Sequence, residues 1–131
     1  MAWIDIYDRT STYGYAPATW QAARDMVQQR IISNLRNRQI LLTTYGDLVR
    51  EVRQVVDFGT PRNQVFHCLL GQISDDEEEQ GRGLLAAAVV HKEDLRPGTG
   101  FFDGAASWGR DITDRDRCWN EEIEKLQKIW T

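Results

Sequence analysis

The sequence predicts an α+β protein in which several helices are combined with a short β-hairpin. Three observations lead to this prediction: a long amphipathic pattern after Pro17, two shorter helix patterns around residues 43–73, and the segment GLLAAAVVHKEDLRPGTGFF from Gly83 to Phe102. A further amphipathic pattern over residues 119–130 predicts a docked C-terminal helix. We expect one α+β domain over residues 17–131, preceded by an N-terminal arm over residues 1–16.

The first predicted helix is long and has a single apolar face. Pro17 suits the first turn of a helix, and Asn37 suits its end. Apolar residues recur at spacings of three or four, which places them on one side; they are Trp20, Ala23, Val27, Ile31 and Leu35. In the preceding arm, the alternation from Trp3 to Tyr7 is compatible with a short strand.

Two shorter helices follow an extended segment. Thr44 is a suitable N-cap, with Asp47 near the positive end of the helix, and Leu48, Val52 and Val55 form the buried side. The next helix pattern, TPRNQVFHCLLGQI over residues 60–73, predicts Thr60 as the cap and Pro61 at the first helical position. Its predicted core face consists of Val65, Phe66, Leu69, Leu70 and Ile73.

The remaining elements are a loop, a hairpin and a final helix. The acidic run Asp75–Glu79 lies next to glycines, which is typical of a solvated loop. The apolar run from Leu84 to Val90 predicts a buried strand, Pro97-Gly98 a turn, and Gly100-Phe101-Phe102 the start of the return strand. The C-terminal helix is predicted from the spacing of its apolar residues: Trp119, Ile123, Leu126 and Trp130.

This order of elements, beginning with Thr44-Tyr45-Gly46-Asp47-Leu48, resembles the winged-helix domain of O6-alkylguanine alkyltransferases and alkyltransferase-like proteins. The resemblance covers about residues 43–102. It implies a winged-helix-like core whose second helix enters the minor groove of DNA, with an arginine there that replaces a flipped base. Arg62 is the nearest candidate for that arginine. The acceptor cysteine of the family is absent, because the corresponding strand ends in Val89-Val90-His91, so alkyl transfer is excluded.

Composition limits the classes of function. The chain has 131 residues, a net charge of −4 and 13 arginines against three lysines, and the charge is +2 over residues 1–70 but −6 over residues 71–131. Clustered bases favour phosphate binding, so the overall charge disfavours it while the first part of the chain permits it.

No apolar run is long enough for a membrane span, and the first ten residues lack a signal-peptide pattern, so we expect a cytoplasmic protein. Cys68 and Cys118 are expected to be buried free thiols.

No catalytic motif is recognisable, and the histidines and cysteines do not have zinc-finger spacing. We therefore predict a non-enzymatic binding module with no cofactor and no metal, and we leave its oligomeric state open. Double-stranded DNA is the first expected ligand, because arginine, asparagine and glutamine are the residues that read base edges. The predicted nucleic-acid-binding residues are Tyr45, Arg50, Arg53, Arg62, Asn63, Gln64, His67, Lys92 and Arg96.

The alternative is a protein-interaction adaptor or inhibitor. In that interpretation a basic protein surface binds the acidic run, with the tryptophan-bearing C-terminal helix as a second contact. The residues predicted for this role are Asp75, Asp76, Glu77, Glu78 and Glu79.

Overall fold

The structure is a computed structural model that describes residues 9–131, and its architecture is α+β. Five α-helices and one 3₁₀-helix surround a sheet of two short parallel strands in the described part of the chain. The elements in order are α1 (Pro17–Arg36), β1 (Thr43–Thr44), α2 (Tyr45–Val52), α3 (Gln64–Glu79), the 3₁₀-helix (Leu85–Ala88), β2 (Val89–Val90), α4 (Thr99–Ser107) and α5 (Arg115–Trp130).

Helix α1 is the central packing element and confirms the prediction from its apolar stripe. It contacts α2, α3, α5 and the 3₁₀-helix. All five stripe residues are at most 2% exposed, and Pro17 occupies the first turn, where its missing N–H costs no hydrogen bond. From the arm, the rings of Tyr13 and Tyr15 pack on Trp20 with centroids 5.5 and 5.6 Å away. The predicted strand from Trp3 to Tyr7 lies outside the described residues.

The cap of α2 is confirmed, whereas the predicted start of α3 is wrong. Thr44 Oγ1 accepts from the Asp47 amide at 3.1 Å. Helix α3 begins at Gln64 because Asn63 caps it: the Asn63 side chain accepts from the amides of Val65 and Phe66 at 2.8 and 3.2 Å. Thr60 instead lies in the preceding turn. Asparagine at this position satisfies two of the amides that a helix start leaves without partners.

The predicted β-hairpin is wrong. The run Leu85–Ala88 forms a 3₁₀-helix, and only Val89 and Val90 are extended, since alanine lacks the branched side chain that favours strands. They pair in parallel with β1, in the register Thr43↔Val89 and Thr44↔Val90. The predicted return strand is instead part of helix α4.

The acidic run forms the last part of α3, so the prediction of a solvated loop is wrong. Acids at a helix C-terminus face the negative end of the helix dipole and need compensation. Basic side chains from other elements supply it: Arg82 bonds Glu77 at 2.6 Å, Arg110 bonds Glu78 at 3.0 Å, and Arg24 and Arg9 pair with Asp76 and Glu79. Asp75 accepts from Trp108 Nε1 at 2.8 Å. Each of the five carboxylates therefore has a partner within the chain.

Helix α5 docks as predicted, although its most buried face is rotated from the predicted one. Cys118, Glu122 and Leu126 are buried, while Trp119 and Ile123 are only partly covered. Both cysteines are buried thiols outside any disulfide, as predicted. Among the helices over residues 9–131, none is both long enough and apolar enough to cross a membrane.

Candidate functional site

Three aromatic side chains from separate elements lie in contact at the edge of the small sheet; we call this group the stack, although the ring planes of each contacting pair are tilted by 38°. Tyr45 follows β1 and His91 follows β2, so the parallel register of the two strands brings these residues side by side. His67 approaches from the first turns of α3. The Tyr45 ring centroid lies 5.1 Å from that of His67 and 4.6 Å from that of His91. The short parallel pair therefore determines where this site lies.

Hydrogen bonds hold the stack in place. The Tyr45 hydroxyl accepts from the Gly98 amide at 3.0 Å. His67 Nε2 lies 2.9 Å from the Pro61 carbonyl oxygen, which can only accept, so Nε2 carries the hydrogen. The other ring nitrogen of His67, Nδ1, is then unprotonated in the neutral side chain. Space beside Gly98 is limited, because a Cβ there would lie 3.2 Å from both His91 Nε2 and the Tyr45 hydroxyl.

Burial keeps two of these groups neutral near pH 7. Tyr45 is 4% exposed, and its burial raises the pKa of the phenol above the ordinary value, which the Gly98 bond partly opposes. Burial also lowers the pKa of His67, with a further lowering from the nearby His91, while the bond to Pro61 acts in the opposite direction. Tyr45 and His67 therefore present polar but uncharged groups at this surface near pH 7.

A cavity of about 290 Å³ lies against this stack, and we call it the imidazole pocket. Its polar wall is formed by Tyr45, Arg62, Gln64, His67, His91 and Thr99. None of the described residues that line it is acidic, although the chain contains 20 Asp and Glu residues. A cavity with one arginine, two imidazoles and no carboxylate favours an anionic ligand.

A second, larger depression adjoins the pocket, and we call it the outer groove. Its volume is about 870 Å³, and it shares Tyr45, Arg62 and His91 with the imidazole pocket. The other charged residues on its walls are Arg50, Lys92, Asp47, Glu93 and Asp94. Arg50 is paired with Asp47, whereas Arg62 and Lys92 form no ion pair with any described residue. The unpaired positive charge of the groove therefore comes from Arg62 and Lys92, and Glu93 and Asp94 on the same walls likewise have no ion pair with a described residue.

Six of the nine residues predicted to contact nucleic acid line these two adjoining cavities: Tyr45, Arg50, Arg62, Gln64, His67 and Lys92. The other three lie elsewhere or are engaged. Arg53 pairs with Asp57 at 3.6 Å. Arg96 pairs with an acid of α5 and covers the Trp119 ring at 5.6 Å, and the Asn63 amide caps α3.

Sequence reasoning does not identify His91 and Thr99 as members of this site. The sequence places His91 in a polar turn, because its position beside Tyr45 depends on the parallel pairing of β1 with β2. It places Thr99 before a return strand, whereas Thr99 is the first residue of α4. Gly98 is the N-cap of α4, and glycine is one of the residues accepted at that position.

No group of three or more His, Cys, Asp or Glu residues within the described chain could hold a metal ion.

Comparisons with known proteins give one partial similarity. No family model matches the chain, and no solved structure matches it. A segment of 55 residues, 42% of this chain, is 40% identical to one of the subunits of the glutamyl-tRNA(Gln) amidotransferase of Halobacterium salinarum, in two strains. The matched segment covers 13% of the length of that protein, so the chain spans only a small part of this relative.

Proposed function

We propose that this chain is a non-enzymatic nucleic-acid-binding module and that double-stranded DNA lies in the outer groove. The observation that carries the proposal is the convergence of six independently predicted contact residues on the two adjoining cavities. Arginine and lysine there would contact phosphates, and the exposed Gln64 at the first turn of α3 would reach a base edge.

The negative net charge of the chain does not oppose this proposal, because charge acts locally over about 10 Å in salt. The acids of residues 75–79 belong to the far end of α3; the last four are paired with basic side chains, and Asp75 accepts from Trp108 Nε1. At its other end, Arg62 precedes the helix and has no acidic partner in the described chain. The N-terminal end of α3 is therefore the part of this element suited to an anionic ligand.

The proposal keeps the helix pair of the winged-helix resemblance but not its hairpin. Helices α2 and α3 would act as the helix-turn-helix pair, as the sequence resemblance implies. Because no hairpin is present in the described chain, the segment from His91 to Gly98 between β2 and α4 would take the place of the wing, with Lys92 as its phosphate contact. The adaptor alternative gains no support, since the carboxylates on which it depends bind side chains of this chain.

The proposal is tested by charge reversal in the groove. In the double variant Arg62→Glu, Lys92→Glu, we expect a fluorescein-labelled duplex to lose binding in fluorescence anisotropy at low salt. The matched control, Arg117→Glu with Lys128→Glu, changes the net charge equally on α5, which lies outside both cavities. Circular dichroism verifies that both variants are folded. Equal binding by the groove variant and the wild type, or equal loss in the control, would contradict the proposal.

A further inference from the structure

The imidazole pocket differs from the outer groove in its charge. The groove carries three acids beside its three Lys and Arg side chains, so its walls have no net charge. The pocket has Arg62, His67 and His91 and no carboxylate among its described lining residues. Its environment is thus suited to a ligand with a higher charge density than a diester.

We propose that the imidazole pocket binds a phosphate monoester, and that in the nucleic-acid complex it receives the terminal phosphate of a strand. The second part rests on the proposed function, whereas the first part stands on the pocket alone. A monoester carries between one and a half and two negative charges near neutral pH, with about three strong acceptor oxygens. A diester linkage inside a strand carries one charge.

Side chains on two walls of the pocket provide cationic and polar donors. Arg62 is exposed, lines both cavities and pairs with no described carboxylate, so its guanidinium is available for a forked contact with phosphate oxygens. The imidazoles of His67 and His91 both contact the Tyr45 ring, each at an interplanar angle of 38°. The bond of His67 Nε2 to the Pro61 carbonyl orients the ring, so Nδ1 donates to a phosphate oxygen only when the ring is protonated, a state that a bound dianion favours.

The third wall contributes backbone donors. Helix α4 starts at Thr99 after Gly98, which has no side chain to cap it. The Gly98 amide binds Tyr45 and the Phe101 amide binds the Gly98 carbonyl at 3.2 Å, which leaves the amides of Thr99 and Gly100 without an acceptor in the described chain. Both residues line the pocket, and a Cβ at Gly100 would meet open space. These amides add to the side-chain donors described above.

The two cavities adjoin, which places the pocket within reach of a strand in the groove. Tyr45, Arg62 and His91 belong to both linings, so the outer groove and the imidazole pocket meet at these side chains. We infer that a strand held in the groove can place its end in the pocket.

The test compares duplexes of one sequence that carry a 5′-phosphate, a 3′-phosphate or only hydroxyl ends. We expect at least one phosphorylated duplex to bind about ten-fold more tightly in anisotropy titrations, as when one charge-assisted hydrogen bond is gained. The two phosphorylated duplexes distinguish which strand end enters the pocket. Equal affinity for all three duplexes would overturn the strand-end proposal.

A matched pair of variants at Thr99 identifies the pocket. Thr99→Pro removes one backbone amide at the first helical position, where proline is tolerated, and the extended Gly98 before it (φ −73°, ψ 170°) is compatible with proline. Thr99→Ala removes only the hydroxyl. We expect the preference for a terminal phosphate to disappear in Thr99→Pro and in Arg62→Ala and to persist in Thr99→Ala. If the preference remains in both Thr99→Pro and Arg62→Ala, the pocket is not the site.

Phenyl phosphate separates this proposal from the function of the groove. We expect it to shift the NMR signals of the His67 ring in the wild type and not in Arg62→Ala. Such a shift without binding of any duplex would support the monoester pocket and refute the nucleic-acid proposal. Binding of all duplexes without a phenyl phosphate shift would support the nucleic-acid proposal and refute the monoester pocket.

Discussion

The salt dependence of DNA binding provides a quantitative test of which side chains contact phosphates. The structure places three Lys or Arg side chains in the outer groove: Arg50, Arg62 and Lys92. Each phosphate contact to duplex DNA contributes a slope of about −0.9 to the plot of log K against log salt concentration. Arg50 is already paired with Asp47, so Arg62 and Lys92 are the two side chains that we count as phosphate contacts. We therefore expect a slope of about −1.8 for the wild type, which corresponds to a loss of affinity of about 12-fold between ~50 and ~200 mM salt.

The perturbation is Arg62→Ala, which removes one contact without creating a new charge. Its expected slope is about −0.9, so the same change of salt reduces affinity only about 3.5-fold. Arg53→Ala is the control, because Arg53 pairs with Asp57 at 3.6 Å and lines neither cavity. Anisotropy titrations at five salt concentrations give the slopes. The reasoning is refuted if Arg62→Ala keeps the wild-type slope, or if Arg53→Ala lowers the slope by the same amount.

Two further predictions concern stability. Arg110→Ala leaves Glu122, whose side chain is 4% exposed, without its ionic partner. We expect the free energy of unfolding measured in urea to fall by about 3 kcal/mol. A fall of less than ~1 kcal/mol would contradict this prediction. Burial lowers the pKa of His67 in the folded chain, so its contribution to stability is complete above pH ~6.5 and is lost as the pH falls toward the folded pKa, by up to about 1.4 kcal/mol per pH unit. The unfolding free energies of the wild type and of His67→Phe are compared between pH 7.5 and pH 5. We expect a smaller decrease in His67→Phe, because the variant has no His67 to protonate. Equal decreases in the two proteins would show that His67 is not the group responsible.

Elements whose signals are local could be predicted from the sequence. The stripe of α1 requires only a period of 3.6 residues, and all of its members are buried. The N-cap of α2 requires only Thr44 and the residues that follow it. Each interaction lies within a few positions along the chain, so no knowledge of the tertiary structure was needed.

Elements that depend on distant partners could not be predicted in the same way. Val89 and Val90 pair with Thr43 and Thr44, more than forty positions earlier, and nothing in the apolar run specifies this partner or its parallel direction. The location of His91 beside Tyr45 follows from that pairing, so the most confined part of the candidate site was missed. The residues predicted from side-chain type alone, such as Arg62 and His67, lie at the site because they belong to the start of α3 and the turn before it.

The acidic run illustrates why net charge is a weak argument about partners. In the sequence, Asp75–Glu79 contributes five negative charges and favours a solvated loop. In the structure, Arg82 and Arg110 reach Glu77 and Glu78 from outside α3, so the run becomes part of a helix and its charge is largely compensated nearby. The opposite end of α3 has no such compensation, because Arg62 lacks an acidic partner among the described residues. The local potential at an anion site therefore depends on which nearby charges are paired. The net charge of −4 does not show that cationic side chains remain available in the outer groove and the imidazole pocket.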